Sequence, residues 1–276
     1  LALAQQGAPG HGGEGFRQVG FEHYLAMTDL KQGAAAGARV AIVVAEGEIV
    51  GGIQPQGTVG AVSLSEKLQA VAEDRDVKAV VLRVNSPGGD AFAAEKIRRE
   101  VLALKEAGKT IVVSMGNVAA SGGYWIAMGA DEIWASPTTI TGSIGVFGIL
   151  PTFARPLEKL GIHTDGVGTT PLAGKLRLDR PLDPDLRRIF EQATKRTYED
   201  FITLVSESRQ MSPSAVLEVA EVRVWSGVQA KERGLVDQTG TLQEAIDAAA
   251  RIAGLGSDYD AFYEEQELTP FETFLI

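Results

Sequence analysis

Ser121 is the residue of this sequence best placed to act as a nucleophile. It stands in Gly116-Asn117-Val118-Ala119-Ala120-Ser121-Gly122-Gly123-Tyr124-Trp125. There a strand-like run, Thr110-Ile111-Val112-Val113-Ser114-Met115, gives way to a helix-compatible one, Tyr124-Trp125-Ile126-Ala127-Met128. A serine at a strand-to-helix turn between small residues is open to a substrate carbonyl. Amides at the start of the helix can face a developing oxyanion. The plainer reading is a helix N-cap, with glycines that only permit close packing.

A second turn has related chemistry. Ala79-Val80-Val81-Leu82-Arg83-Val84 reads as a buried strand, Asn85-Ser86-Pro87-Gly88-Gly89-Asp90 breaks it, and helical spacing runs from Ala91 to Ala107. Gly88 and Gly89 free the backbone so that an amide can point into a cleft. With the Gly122 amide as partner, Gly88 or Gly89 would complete a two-donor oxyanion hole. The alternative is an ordinary tight turn, which Asn-Ser-Pro-Gly makes unaided. The two Gly-rich turns lie about thirty residues apart, the layout by which consecutive crossover units bring two loops to one sheet edge. Ser86 and Ser143 lie in similar turns near that edge. Ser143 could contact a base or position substrate, although turn chemistry explains both serines. Asp90 is placed to cap the helix that follows it.

The elements that must carry these turns alternate in type. Arg39-Val40-Ala41-Ile42-Val43-Val44 is the first buried strand. A helix from Ser63 to Val71 follows, with Ser63 as cap and Glu66 three residues on in capping-box spacing. Then come strand Ala79 to Val84, helix Ala91 to Ala107, strand Thr110 to Met115 and the helix from Ser121. Such alternation predicts an α/β fold with a largely parallel, covered sheet. Short strands are expected at Glu132 to Ala135 and Ile144 to Phe147, and a helix from Thr152 to Leu160 ended by Gly161. Gly168 to Pro184 is a glycine- and proline-rich loop. Asp185 to Arg209 is a long amphipathic helix with Ile189, Phe190, Ala193, Phe201, Leu204 and Val205 at helical spacing. Ser212-Pro213 opens another helix, and Thr241 with Glu244 caps the last, Leu242 to Ala253. The division is a linker over 1–38 with a short helical stretch near Glu22 to Leu30, a catalytic repeat over 39–256, and an acidic, aromatic tail over 257–276. That tail should pack on a neighbour or be disordered.

Composition narrows the classes. The 276 residues suffice for a sizeable core, and the formal charge of −10 disfavours a nucleic-acid partner. With no cysteine there is no disulfide framework, thiol nucleophile or thiolate metal site. No cluster of His and carboxylates has metal spacing, and Gly88-Gly89 lacks the lysine and threonine of a phosphate loop, so neither metal nor cofactor is expected. There are three histidines. His11 is in a Gly-rich segment, His23 in a short aromatic run, and His163 precedes Asp165 where a structural imidazole is the commoner outcome, so a Ser-His-Asp triad is the lesser mechanism. No apolar run approaches transmembrane length, and the chain reads as a fragment or a processed piece of a longer one.

Val84-Asn85-Ser86-Pro87-Gly88-Gly89, Ala119-Ala120-Ser121-Gly122-Gly123-Tyr124-Trp125 and Thr141-Gly142-Ser143-Ile144-Gly145-Val146 together resemble the signal peptide peptidase A, or protease IV, family. More narrowly they resemble the C-terminal half of its long, two-repeat form. His163-Thr164-Asp165-Gly166-Val167, Val224-Trp225-Ser226-Gly227 and Gly234-Leu235-Val236-Asp237 support the match, which runs from about Phe16 to about Phe262. The resemblance implies a Clp protease/crotonase-like superhelix of repeated strand-strand-helix units. It also implies peptide-bond hydrolysis by a Ser/Lys dyad, with Ser121 as nucleophile and Gly88, Gly89 and Gly122 around the oxyanion.

The base departs from the pattern. Single-repeat members of the family carry a lysine in a loop of the same repeat. Aligned on Gly166-Val167-Gly168-Thr169, that position here is Pro171, which cannot take a proton. Lys175 is the nearby substitute, although its surroundings look exposed. In the long form the lysine comes from the N-terminal repeat, absent from this chain. The resemblance thus implies a serine-bearing repeat that is inactive alone and works with that N-terminal repeat, as a homo-oligomer, on extended peptides such as released signal peptides. It places the parent protein in the bacterial cell envelope, anchored in the inner membrane with this part, itself soluble, on the periplasmic side. Two other classes stay open. One is a crotonase-like acyl-thioester enzyme, for which Asp90 is the closest carboxylate. The other is a non-catalytic assembly module.

Overall fold

The computed structural model of the chain describes residues 38–264, apart from Pro171 and Asp258. The expected linker and its helix at Glu22 to Leu30, His11, His23, Pro171 and the end of the tail lie outside the described residues. The core is a parallel sheet. β1 (Arg39–Glu46), β4 (Val77–Ser86), β5 (Thr110–Ala120), β6 (Glu132–Ala135), β9 (Gln238–Thr239) and β10 (Asp260–Tyr263) lie in the order β10-β1-β4-β5-β6-β9. Every pair along that path is parallel.

The central strands are covered on both faces, which is why they read as unbroken Val/Ile/Leu runs rather than as alternating ones. Ala41, Val43, Val80, Leu82, Ile111 and Val113 face one apolar cluster with the helices Ala61–Glu73, Ala91–Glu106 and Gly122–Ala127. Val40, Ile42, Ala79, Val81 and Val112 face another, under the helix Leu242–Ile252. Strand parity sorts the two sets, because successive side chains alternate in direction. Beyond the strand ends, β7 (Ile140–Gly142) pairs with the last residues of β5, and β8 (Val224–Ser226) runs antiparallel on β7. A separate parallel pair, β2 (Glu48–Val50) and β3 (Thr58–Gly60), follows β1.

Local signals were sound where the cap is local. Asp90 accepts from Ala93 N at 2.6 Å, Ser212 caps the helix Pro213–Val219, and Thr241 with Glu244 forms a complete capping box. Ser63 is different. The helix starts at Ala61 straight out of β3, so Ser63 lies inside it, and its hydroxyl binds Gln54 N at 2.9 Å instead. The short strand expected at Ile144 to Phe147 lies earlier, at Ile140–Gly142, because Gly142 (φ +80°) and Ser143 (φ +49°) turn the chain out of the ladder. The segment expected as a tail contributes β10. Its residues Asp260–Tyr263 hydrogen-bond in parallel to the free edge of β1, with the Arg39 guanidinium over the Phe262 ring at 3.7 Å. An edge strand with an unpaired ladder favours such an addition.

The helix Pro184–Arg209 buries only its C-terminal part, at Phe201, Ile202 and Val205. Ile189, Phe190 and Ala193, at the expected apolar spacing, are exposed. The helix Ala154–Lys159 buries no residue. No helix among the described residues is long and apolar enough to cross a membrane.

Candidate active site

Ser121 leaves β5 in a conformation that few side-chain-bearing residues adopt, φ +53° and ψ −117°. Such torsions cost on the order of 1–3 kcal/mol and persist only where the surroundings over-determine them. Here the surroundings do so from both sides. Before the turn, Thr139 Oγ1 donates to Gly116 O at 2.7 Å, Thr141 Oγ1 to Ala119 O at 2.6 Å, and Ser121 N to Gly142 O at 2.9 Å. After it, Trp125 N donates to Ser121 O at 2.9 Å, and Tyr124, fully buried, donates from its hydroxyl to Leu235 O at 2.8 Å. Burial pushes the Tyr124 hydroxyl pKa up, so that donor keeps its proton. The Ser121 side chain makes no cap hydrogen bond. The N-cap reading therefore fails, and the hydroxyl is left half-buried in a cleft with no partner among the described residues.

Gly123 explains the glycine after the turn. A Cβ there would lie 2.7 Å from Ser86 O, so the start of the helix is in backbone contact with the neighbouring turn. Gly88 is equally confined, since a Cβ on it would lie 2.7 Å from Gly122 N and 2.8 Å from Ser121 Cβ. The structure thus brings Gly88, Gly89, Ser121 and Gly122 together. It also separates the two candidate donors of the second turn. Gly88 is buried and its N–H is spent on Ser86 Oγ at 3.1 Å. Gly89 is exposed, and its N–H, like that of Gly122, has no partner among the described residues. A Cβ on Gly122 would sit 3.2 Å from Gly89 N, so the two amides are neighbours.

These residues line a cleft of about 660 Å³, together with Glu48, Asp90, Trp125, Phe147, Thr197, Phe201 and Val222. Ser143 lines it too. Its backbone is turned to φ +49° and its N–H is fixed on Arg223 O at 2.7 Å. Trp125 is held by its indole N–H on Glu95 Oε2 at 2.9 Å. Burial alone would raise the Glu95 pKa, but hydrogen bonds from Arg98, Arg99 and Trp125 outweigh it and hold the carboxyl at about 2. The charge beneath Trp125 is therefore fixed.

Other candidates are elsewhere. Lys175 lines a different cavity, of about 570 Å³, and its Nζ lies 2.9 Å from Asp183 Oδ2 and 3.6 Å from Asp185 Oδ2. The hydrogen bond to Asp183 raises its pKa, which keeps it an ammonium and unfit to accept a proton. His163 is exposed and outside the cleft lining. The Asp90 carboxylate is committed to its helix cap. Among the described residues lining the cleft there is no lysine, arginine or histidine.

Sequence reasoning passed over two residues here. Val222 lines the cleft from a segment where Glu221 and Val222 both have positive φ, +59° and +63°. No composition signal marks it. Ile49 is fully buried against the Gly88–Asp90 turn. Only Gly47, just before it, hinted at a break there.

Comparison with known proteins agrees with this architecture. The profile of peptidase family S49 matches residues 103–256. Protease 4 of Salmonella typhi is 40% identical over 251 residues, covering 91% of this chain and 40% of that protein. A putative protease of Synechocystis is 37% identical over 192 residues, covering 70% of this chain and 69% of that protein. The chain spans about two fifths of the length of its Salmonella relative. Among solved structures, a ClpP1 variant from Listeria monocytogenes aligns with a TM-score of 0.51 at 17% identity, over 74% of this chain and 94% of that one. A variant of the membrane-bound stomatin-specific protease 1510-N aligns with a TM-score of 0.51 at 15% identity, over 86% of this chain and 100% of that one. The fold is of the ClpP/crotonase-like kind.

Proposed function

This chain belongs to peptidase family S49, the protease IV or signal peptide peptidase A family of serine proteases, and on that footing we propose that it is the serine-bearing repeat of a Ser/Lys endopeptidase. Ser121 Oγ attacks the scissile carbonyl as a base takes its proton. The carbonyl oxygen becomes an oxyanion between the Gly89 and Gly122 amides. The intermediate collapses as the leaving amine takes a proton, and water then hydrolyses the acyl-enzyme. The observation that carries this reading is the strained Ser121 turn, whose hydroxyl, like the two neighbouring amides, has no partner among the described residues.

The base comes from outside this chain, from a lysine of an N-terminal repeat of the same protein. Lys175 is bound by two carboxylates away from the cleft, which supports that assignment. A lysine entering the cleft would be desolvated, and desolvation lowers its pKa toward the range of a working base. The substrates are extended peptides, such as released signal peptides, held by backbone pairing along the cleft. The parent protein is an oligomer, anchored at the inner membrane with this part on the periplasmic side. Ser143 contacts the incoming lysine or positions the substrate.

A peptide-cleavage assay on the isolated chain, the complete protein and its Ser121→Ala and Lys175→Ala variants tests this. The complete protein and Lys175→Ala should cleave, whereas Ser121→Ala and the isolated chain should not. Cleavage by the isolated chain that is lost in Lys175→Ala would move the base to Lys175. An undiminished rate in Ser121→Ala would sink the mechanism.

A further inference from the structure

The amide of Gly89 is set from behind by a residue outside the cleft lining. Ile49, fully buried in β2, pairs with Gly89 as an isolated parallel bridge. Its N–H donates to Gly88 O at 2.9 Å, and its carbonyl accepts from Asp90 N at 2.8 Å. The Gly88 carbonyl and the Gly89 N–H belong to one planar trans peptide unit, in which C=O and N–H point in opposite directions. Holding that carbonyl on Ile49 therefore turns the Gly89 N–H away from β2. Gly122 is its neighbour, with a Cβ position 3.2 Å from Gly89 N.

Sterics alone do not hold this orientation. The unit is flanked by two glycines, at φ +106° and +151°, and glycines tolerate the torsions on either side of a peptide flip. A flip would carry the Gly88 carbonyl round toward the face that now presents the amide, exchanging a donor for an acceptor. The Ile49 side chain adds a brace, with Cδ1 at 3.4 Å from the Cβ position of Gly122. One residue thus touches the frames of both amides.

We propose that Ile49 is a positioning residue for catalysis, its backbone N–H latching the Gly88–Gly89 peptide so that the Gly89 amide faces the oxyanion. The latch rests on the assignment of Ser121 as nucleophile and deepens it. It acts on the transition state, because the extra negative charge at the carbonyl oxygen exists only there. Loss of the latch should lower kcat and leave KM nearly unchanged.

The test replaces Ile49 in the complete protein by the corresponding α-hydroxy acid, which removes the N–H and keeps the side chain. We expect kcat for a peptide substrate to fall about tenfold or more, toward the hundredfold typical of a lost oxyanion donor, with KM within about twofold. Affinity for a peptide aldehyde, whose serine adduct carries an oxyanion, should fall in step with kcat. Ile49→Val keeps the N–H and removes only the Cδ1 brace, so its kcat should fall by less than that of the ester variant. An ester variant with unchanged kcat beside an inactive Ser121→Ala overturns the latch and leaves the nucleophile standing. An active Ser121→Ala overturns the reading on which the latch rests. A measurement needing no variant guards against a misfolded ester. In the unaltered isolated chain, the through-hydrogen-bond coupling between Ile49 15N and Gly88 13C′ should be detectable, and its absence overturns the latch.

Discussion

Replacing Ser121 by glycine should stabilise the chain relative to alanine at the same position. Both variants lose the hydroxyl, so both are inactive, and the comparison isolates the backbone. Alanine must keep φ +53° and ψ −117° with a Cβ in place. Glycine adopts those torsions without the Cβ penalty, which for such regions is on the order of 1–3 kcal/mol. Glycine also makes the unfolded chain more flexible, an opposing cost of about 0.5–1 kcal/mol. The hydroxyl makes no hydrogen bond among the described residues, so its loss leaves no buried partner unpaired. Taken at their midpoints, about 2 and about 0.75 kcal/mol, the two terms leave about 1 kcal/mol in favour of glycine. For a domain of this size each kcal/mol moves Tm by about 2–4 °C, so the melting points should differ by about 2–4 °C. Scanning calorimetry of the two variants of the isolated chain measures this and needs no activity. Equal melting points, or a more stable alanine variant, would refute the claim that the nucleophile's turn is strained.

Tyr124→Phe leaves the buried Leu235 carbonyl without its donor at 2.8 Å and should cost about 1–3 kcal/mol in urea unfolding. Gly123→Ala places a Cβ 2.7 Å from Ser86 O, backbone against backbone. The two turns must then separate, and kcat/KM of the complete protein should fall by about tenfold or more. Glu95 has a folded-state pKa of about 2, below its ordinary 4.5. Its contribution to stability is therefore complete above the unfolded value and lost as pH falls from there toward 2. In denaturant titrations the stability gap between wild type and Glu95→Gln should narrow over that window and stay constant above about pH 6. A gap that widens on acidification would reverse the sign of the assignment.

The sheet was legible because its strands carry their signal locally. Val40 to Val43, Val80 to Leu82 and Ile111 to Val113 are apolar on both faces, and the covered parallel sheet follows from that. The caps at Asp90, Ser212 and Thr241 were legible for the same reason, since acceptor and donor lie within three residues. The site was legible only as a set of residue types. An N-cap serine and a nucleophilic serine have the same neighbours, and at Ser121 only torsions held by bonds to Gly142 and Trp125 distinguish them. Gly88 and Gly89 could not be told apart either, because Ser86 and Ile49 decide which amide is spent. Lys175 looked like a free loop lysine until Asp183 and Asp185 closed on it. In each case the residue type fixed what a group was able to do. Hydrogen bonds made by residues distant in sequence, or by a loop folding back, fixed whether the group was still free to do it. The bond from Ser121 to Gly142 depends on the pairing of β7 with β5, and strand order is a property of the whole sheet that no short window of sequence contains.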